Sequence, residues 1–210
     1  MTGSLTVAVV LAAGSGTRFV GSTHKLLSVA QGRPVYHWAV ESAIEASVGP
    51  VVVVTGKTPL PLDFALSDEA QASITKWGLP HSINNPNWST GMASSVQCAI
   101  EFAASLGAQA VVIGLADQPC VPPSAWQRVA NSTSPLAVAT YDTKRGNPVK
   151  LHAEMWSHLP TTGDEGARNL LRSHHQLVSE VSCTGSAIDI DTIEDLEQAS
   201  KLIVESRRTV

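Results

Sequence analysis

The sequence predicts an α/β fold built on a mostly parallel central sheet. Residues 5–12, 51–55 and 110–115 are apolar and largely β-branched at both alternating sets of positions, the pattern of strands covered on two faces. Between these runs, the apolar residues of 34–46 and 91–106 recur at helical spacing. Strands alternating with helices imply βαβ crossovers, whose right-handed return path lays the strands parallel.

In chain order, the run LTVAVVLA at 5–12 reads as a central parallel strand. The helix over 34–46 opens on Pro34, a residue suited to a first helical turn, where its missing N–H would have no partner anyway. The strand VVVVT at 51–55 follows. Residues 60–78 carry a weaker signal: Pro59 and Pro61 around the start, then an amphipathic stretch over 66–77 that predicts a surface helix. The helix over 91–106 is closed by Gly107, and the strand over 110–115 leads through a proline-rich turn into a helix around 124–129. Strands over 136–140 and 177–181, a helix after Gly166 and a last helix over 192–205 complete the set, with no internal repeat and no low-complexity segment. At 210 residues, 43% of them hydrophobic and 15% charged, the chain can bury one substantial core and is too short for two ordinary domains. Residues 1–210 are therefore expected to form a single domain.

Composition excludes several classes of partner. The net charge is −4, and no run of basic residues exceeds the pair Arg207-Arg208, so there is no electrostatic footprint for nucleic acid or an anionic membrane. The three cysteines are widely spaced and contain no Cys-x-x-Cys pair, which argues against a disulfide framework or structural zinc and fits a reducing cytoplasm. The apolar start at 5–13 has no preceding positive charge, as a secretory signal would. No uninterrupted apolar stretch reaches the roughly 20 residues of a membrane-spanning helix. The seven histidines have no metal-site spacing and receive no role, and Cys120 reads as a small buried residue.

The turn after the first strand carries the first chemical signal. Leu11, Ala12, Ala13, Gly14, Ser15 and Gly16 form a loop of small residues, in which backbone N–H groups can approach a phosphate closely. A dinucleotide fingerprint would need a third glycine where Phe19 stands, and a P-loop would need lysine where Ser22 stands. What remains is a glycine loop followed by Arg18 and Lys25, two cations placed to neutralise a polyphosphate. An ordinary βα turn with solvated charges is the plainer alternative.

Two acidic segments follow. The strand over 110–115 runs into Ala116, Asp117, Gln118 and Pro119, placing a carboxylate at the carboxyl end of a central strand, where open α/β sheets bind ligands. Asp117 is the first metal candidate, since magnesium takes one or two carboxylates and completes its shell with phosphate oxygens and water. An Asx turn or helix cap is the alternative, though Pro119, Pro122 and Pro123 delay the next helix. Near the C-terminus the alternation of 187–192 puts Asp189 and Asp191 on one face. Capping of the last helix, helped by Glu194 and Asp195, is the plainer reading there.

An acceptor pocket can be assembled from the remaining polar motifs. The turn-rich loop over 84–91 leads into a helix start bearing Ser94 and Ser95, where exposed N–H groups suit an anion. Arg145 and Arg168 are placed to clamp an anionic substrate, and Asn147 offers a hydrogen bond. Surface salt bridges are the competing account of the arginines.

Taken together, the LAAG at 11–14, Arg18, Lys25, the ADQP at 116–119 and the DTIEDL at 191–196 resemble the signature of nucleotidyltransferases of the molybdenum-cofactor guanylyl- and cytidylyltransferase type, the MobA-like family. Asn-Pro-x-Trp with Gly-Met and two serines at 85–95, RGNPV at 145–149 and GDEGAR at 163–168 resemble its cytidylyltransferase branch. The resemblance spans roughly residues 5 to 200. It implies a Rossmann-like three-layer sandwich of the nucleotide-diphospho-sugar transferase type. The departures are one residue inserted at Phe19-Val20-Gly21, Ala116 for glycine, Ile193 for proline and Asn147 for histidine.

The resemblance also implies an activity: transfer of CMP from CTP to a phosphorylated acceptor, molybdenum-loaded molybdopterin, with release of pyrophosphate. Mg2+ would be held by Asp117 and Asp191, with Asp189 the less favoured second ligand. Arg18, Lys25 and Asp117 would be catalytic, and Ser94, Ser95, Arg145, Asn147, Asp164 and Arg168 would hold the acceptor. In the family LAAG accompanies CTP, because a side chain at the third position leaves less room for a purine, so Ala13 points to CTP. A molybdoenzyme would receive the product in the cytoplasm. GTP, another phosphorylated acceptor such as a sugar or polyol phosphate, and a non-catalytic cofactor carrier stay open as alternatives.

Overall fold

The computed structural model describes residues 4–16, 19–21 and 23–208. In chain order these form β1 (Thr6–Ala12), a one-turn 3₁₀ segment Lys25–Leu27, the short hairpin strands β2 (Val29–Ala30) and β3 (Arg33–Pro34), α1 (Val35–Glu45), β4 (Val51–Thr55), α2 (Asp68–Trp77) and β5 (His81–Asn84). They continue with α3 (Met92–Ser105), β6 (Ala110–Leu115), α4 (Pro123–Ala130), β7 (Leu136–Tyr141), β8 (Lys144–His152), α5 (Arg168–Ser173), β9 (Val178–Ser182) and α6 (Ile193–Arg208).

Among the described residues the main sheet has seven strands in the order β5-β4-β1-β6-β8-β7-β9. β1 is flanked in parallel by β4, with Val9 opposite Val52, and by β6, with Leu11 opposite Leu115. Its side chains alternate between two cores. Ala8, Val10 and Ala12 pack with α1 and α4, while Val7, Val9 and Leu11 pack with α3 and the Leu170-Leu171 pair of α5. Val9 and Val10 are both fully buried, and each such side chain contributes about 2 kcal/mol of transfer free energy. This double burial makes the sheet the middle of three layers. A third cluster, with Trp38, Ile190, Ala199 and Ile203, fastens α6 over the β2–β3 hairpin.

Helix ends follow local chemistry. Pro34 is the residue before α1 rather than its first residue. Ser67 caps α2, its hydroxyl accepting from the Ala70 N–H at 3.1 Å. α6 begins with a reciprocal pair: Thr192 Oγ1 accepts from the Asp195 N–H at 3.1 Å, and Asp195 Oδ2 accepts from the Thr192 N–H at 2.8 Å. This is a capping box, so the cap comes from Thr192 and Asp195 rather than from the Asp191 carboxylate.

Besides the short β2–β3 hairpin, two strands of the main sheet lie outside the sequence expectation. β5 is mostly polar and largely exposed because it is an edge, paired only with β4. β8 is the antiparallel member, inserted between β6 and β7. Its Gly146 and Pro148 break a strand pattern, and the register shifts between Val138 and Ala139 of β7 to pass Asn147 and Pro148, an irregularity of the kind that accommodates proline within a sheet. Among the described residues no helix is long and apolar enough to cross a membrane.

Candidate active site

The side-by-side pairing of β1 and β6 brings their two carboxyl-end turns together. The glycine loop and the Asp117 turn therefore share one end of the sheet, where they open into a cleft of about 520 Å³. Leu11, Ala12, Ala13, Gly14, Ser15 and Gly16 line it, together with Lys25, Asp117, Asp189 and Asp191. Arg18 lies outside the described residues.

The C-terminal acids reach Asp117 through a short backbone tie. The Ile190 N–H donates to the Asp117 carbonyl at 3.0 Å, and Gln118 Nε2 donates to Asp189 Oδ1 at 2.8 Å and to the Ala187 carbonyl at 3.2 Å. Asp189 is thereby held by Gln118, and Asp191 turns to Lys25. The Lys25 ammonium lies 2.6 Å from Asp117 Oδ2 and 3.1 Å from Asp191 Oδ1. Burial works against the charge on Lys25, but the Asp117 carboxylate and the hydrogen bonds to both aspartates outweigh it, and the pKa is raised above the usual lysine value. The Asp189 carboxyl is pushed up by burial and by the negative charge of Asp117, against the opposing Gln118 hydrogen bond.

Hard carboxylate oxygens on Asp117 and Asp191, facing a single point that already accommodates a cation, suit a divalent ion that draws its other ligands from phosphate and water. Among the described residues no three His, Cys, Asp or Glu side chains come together as a metal cage.

The opposite wall is built by two segments far apart in sequence. Asn85 is buried and organises the first: its Nδ2 donates to Ser94 Oγ at 2.9 Å and Ser95 Oγ at 3.0 Å, and its Oδ1 accepts from the Asn87 N–H at 2.9 Å. The second segment docks on it, with the Gly163 N–H donating to the Thr90 carbonyl at 3.0 Å and the Ala93 N–H to the Gly163 carbonyl at 2.9 Å. Gly91 makes this approach possible. Its φ is +109°, and a Cβ there would sit 2.5 Å from the Gly163 carbonyl oxygen, so both conformation and space demand glycine. The docking carries Asp164 and Arg168 into the cleft wall beside Ser95.

Of the acceptor residues expected from sequence, Ser95, Asp164 and Arg168 line the cleft, and Ser94, Arg145 and Asn147 do not. Ser94 Oγ is occupied internally, 2.9 Å from the carbonyls of both Asn87 and Gly91. Arg145 Nε pairs with Glu180 Oε1 at 2.8 Å, both side chains about half exposed. Asn147 sits at the β8 irregularity, its carbonyl accepting from the Tyr141 hydroxyl at 2.8 Å.

Sequence reasoning assigned no site role to Trp88, Met92 or Leu26, which also line the cleft. Trp88 carried a usable signal, an aromatic in the turn-rich loop before α3. Cys120, expected to be buried, is only half-buried; its thiol donates to the Ala199 carbonyl at 3.6 Å, and desolvation pushes its pKa up to about 12.

Comparison with known proteins agrees with this architecture. The chain is 29% identical to the bifunctional protein GlmU of Trichlorobacter lovleyi over 148 residues, 69% of this chain and 30% of that protein, so it spans less than a third of that relative. It is 27% identical to the purine catabolism protein PucB of Bacillus subtilis over 201 residues, 93% of this chain and 96% of that protein. The crystal structure of Rv0371c from Mycobacterium tuberculosis superposes with a TM-score of 0.74 at 22% identity, covering 96% of this chain and all of that one. Rv0371c has also been solved as a complex with manganese, matching with a TM-score of 0.70 at 21% identity over 94% of this chain and 99% of that one. The model of the MobA-like NTP transferase domain matches residues 8–178, and the chain belongs to that family of nucleotidyltransferases.

Proposed function

We propose that this chain transfers CMP from CTP to a phosphorylated acceptor, molybdenum-loaded molybdopterin, and releases pyrophosphate. The observation that carries the reading is the pair Asp117 and Asp191, bridged by Lys25 at 2.6 and 3.1 Å, at the mouth of a cleft floored by the glycine loop.

In this reading the triphosphate lies over residues 11–16, and Lys25, with Arg18, neutralises its charge. A phosphate oxygen of the acceptor attacks the α-phosphorus, the bond from that phosphorus to the bridging oxygen breaks, and pyrophosphate leaves with the electron pair. No covalent protein intermediate is needed. Catalysis of this kind rests on positioning and on neutralising charge. Asp117 and Asp191 would hold Mg2+, which supplies positive charge against the phosphates when bound; the manganese complex of Rv0371c supports a divalent ion in this fold. Lys25, which pairs with both carboxylates here, would pair with the phosphates of a bound nucleotide. Ser95, Asp164 and Arg168 face the acceptor, with Ser94 supporting the helix start. Ala13, at the cleft wall, favours a pyrimidine by the bulk of its methyl group. The chain acts as a single domain in the cytoplasm, and a molybdoenzyme takes the product.

The test is pyrophosphate release with magnesium and molybdenum-loaded molybdopterin, CTP and GTP being supplied in parallel. Release with CTP alone is expected. Release only with a sugar or polyol phosphate as acceptor overturns the molybdopterin assignment, and nucleotide binding without release under any acceptor overturns the transferase reading in favour of a carrier.

A further inference from the structure

Between the glycine loop and Lys25 stands a residue to which the mechanism gives no part, His24. Its backbone, at φ −59° and ψ 138°, forms the entry to the 3₁₀ turn Lys25–Leu27. Its ring is bonded on both sides: Nδ1 lies 3.3 Å from the Leu26 backbone nitrogen and Nε2 lies 3.2 Å from the Gly14 carbonyl oxygen. A backbone N–H only donates and a carbonyl only accepts. Nδ1 must therefore be the unprotonated nitrogen, and the proton of the neutral ring resides on Nε2, donating to Gly14. One imidazole in one tautomer satisfies both partners.

The loop is also shaped around this ring. Gly16 has φ +63°, and a Cβ there would lie 3.0 Å from His24 Nε2 and 3.3 Å from Lys25 Cγ. The loop thus bends directly over His24 and the root of Lys25. His24 is not among the residues that line the cleft, whereas Gly14, Gly16 and Lys25 are, so the ring ties the phosphate-binding surface together without forming part of it.

We propose that His24 is a positioning residue: its Nε2–H tautomer staples the glycine loop to the Lys25 turn and holds both in the arrangement that receives a polyphosphate. The inference rests on the nucleotidyltransferase reading for its ligand, and on the two ring contacts for its geometry. A loop held in its bound shape before the ligand arrives loses less conformational freedom on binding, so the staple acts on nucleotide affinity and leaves the chemical step alone.

Two variants separate the staple from the cap. His24→Asn keeps an acceptor for the Leu26 N–H, because asparagine is a good capping residue, but is too short to reach Gly14. His24→Gln restores a longer amide donor. Binding of magnesium-CTP and of inorganic tripolyphosphate, kcat and KM at saturating acceptor, and amide hydrogen exchange over residues 14–16 are compared with those of the parent protein. In His24→Asn we expect CTP and tripolyphosphate to bind about three- to tenfold more weakly, the share of one neutral hydrogen bond. KM should rise in step, kcat should stay within about twofold, and loop amides should exchange faster. His24→Gln should recover part of the affinity.

Unchanged affinity and unchanged exchange in His24→Asn would overturn the proposal, as would a loss confined to kcat. Should the parent protein bind neither CTP nor tripolyphosphate, the transferase reading falls by itself, and faster exchange in His24→Asn still identifies the staple while equal exchange removes it.

Discussion

Lys25 Nζ lies 2.6 Å from Asp117 Oδ2, a contact between residues 92 positions apart that joins the turn after β1 to the turn after β6. The same ammonium reaches Asp191, 166 positions away, at 3.1 Å. One lysine therefore relieves the mutual repulsion of two carboxylates that converge from different parts of the chain, and in the proposed function the same two carboxylates would hold a divalent cation. Exchange between lysine and metal makes opposite predictions for the two kinds of residue. Asp117→Asn should lower pyrophosphate release by about 10³-fold with an unchanged circular dichroism spectrum. Lys25→Met should bind Mn2+ roughly tenfold more tightly in the absence of nucleotide, as a competing positive charge is gone, yet turn over about a hundredfold more slowly. Paramagnetic resonance of Mn2+ measures the first effect. Weaker metal binding in Lys25→Met, or near-normal turnover in Asp117→Asn, contradicts the exchange.

Ala13 lines the cleft next to Gly14, and in the proposed function its methyl group would set base choice. Ala13→Gly should raise the ratio of kcat/KM for GTP over CTP by about tenfold, in the range expected for one methyl group in a shaped pocket. Competition between the two nucleotides in one reaction reads this directly. An unaltered ratio would place the selection elsewhere.

The two arginines expected to clamp the acceptor are separated by the fold. Arg168 faces the cleft, whereas Arg145 is engaged with Glu180 in a half-exposed pair. Arg168→Ala should raise the acceptor KM by about ten- to a hundredfold, the weight of a charge-assisted hydrogen bond, with little change in the KM for nucleotide. Arg145→Ala should alter both constants by less than about twofold, since exposed ion pairs contribute little. Equal effects of the two substitutions would show that the acceptor extends to β8.

Acid stability has an identifiable contributor in His37. Its ring stacks on Phe64, with centroids 3.8 Å apart, and desolvation, with the Arg33 charge, lowers its pKa from 6.5 to about 4 against the opposing pull of Glu41 and Asp63. Between these two values the unfolded chain binds the proton and the folded chain does not, so the contribution of His37 to stability falls as pH drops from 6.5 to 4 and is level below. His37→Phe keeps the stacked ring and removes the titration. Its Tm should decline less steeply than that of the parent across this window, and parallel declines would rule out His37 as the source.

The central strands were legible in the sequence because they lie where both faces are covered. The runs 51–55 and 110–115 recur as β4 and β6 with the same bounds, since apolar residues on both alternating sets suit no exposed element. β8 and β5 were not. The Gly146 and Pro148 of β8 are tolerable only because the partner strand shifts its register there, and polar β5 is a strand only because β4 offers it an edge. The candidate site divides in the same way. The glycine loop and Asp117 follow strands whose ends can be read locally, but at Asp191 helix capping is the plainer local reading, and only the folded chain shows Thr192 and Asp195 capping α6 between themselves. His24 offered no signal at all, because its meaning comes from a carbonyl ten residues earlier.

By itself the sequence determined the layered α/β architecture and the two loops at the ends of β1 and β6, since both depend on apolar pattern and turn chemistry within a few residues. Only the tertiary structure decided which charged groups meet. That Lys25 bridges Asp117 and Asp191, that Arg168 enters the cleft and that Arg145 stays outside it all follow from strand order and from the docking of 160–167 onto the start of α3. Ion pairs form between whatever side chains the packed backbone brings within a few ångströms, and separation along the chain carries no record of that distance.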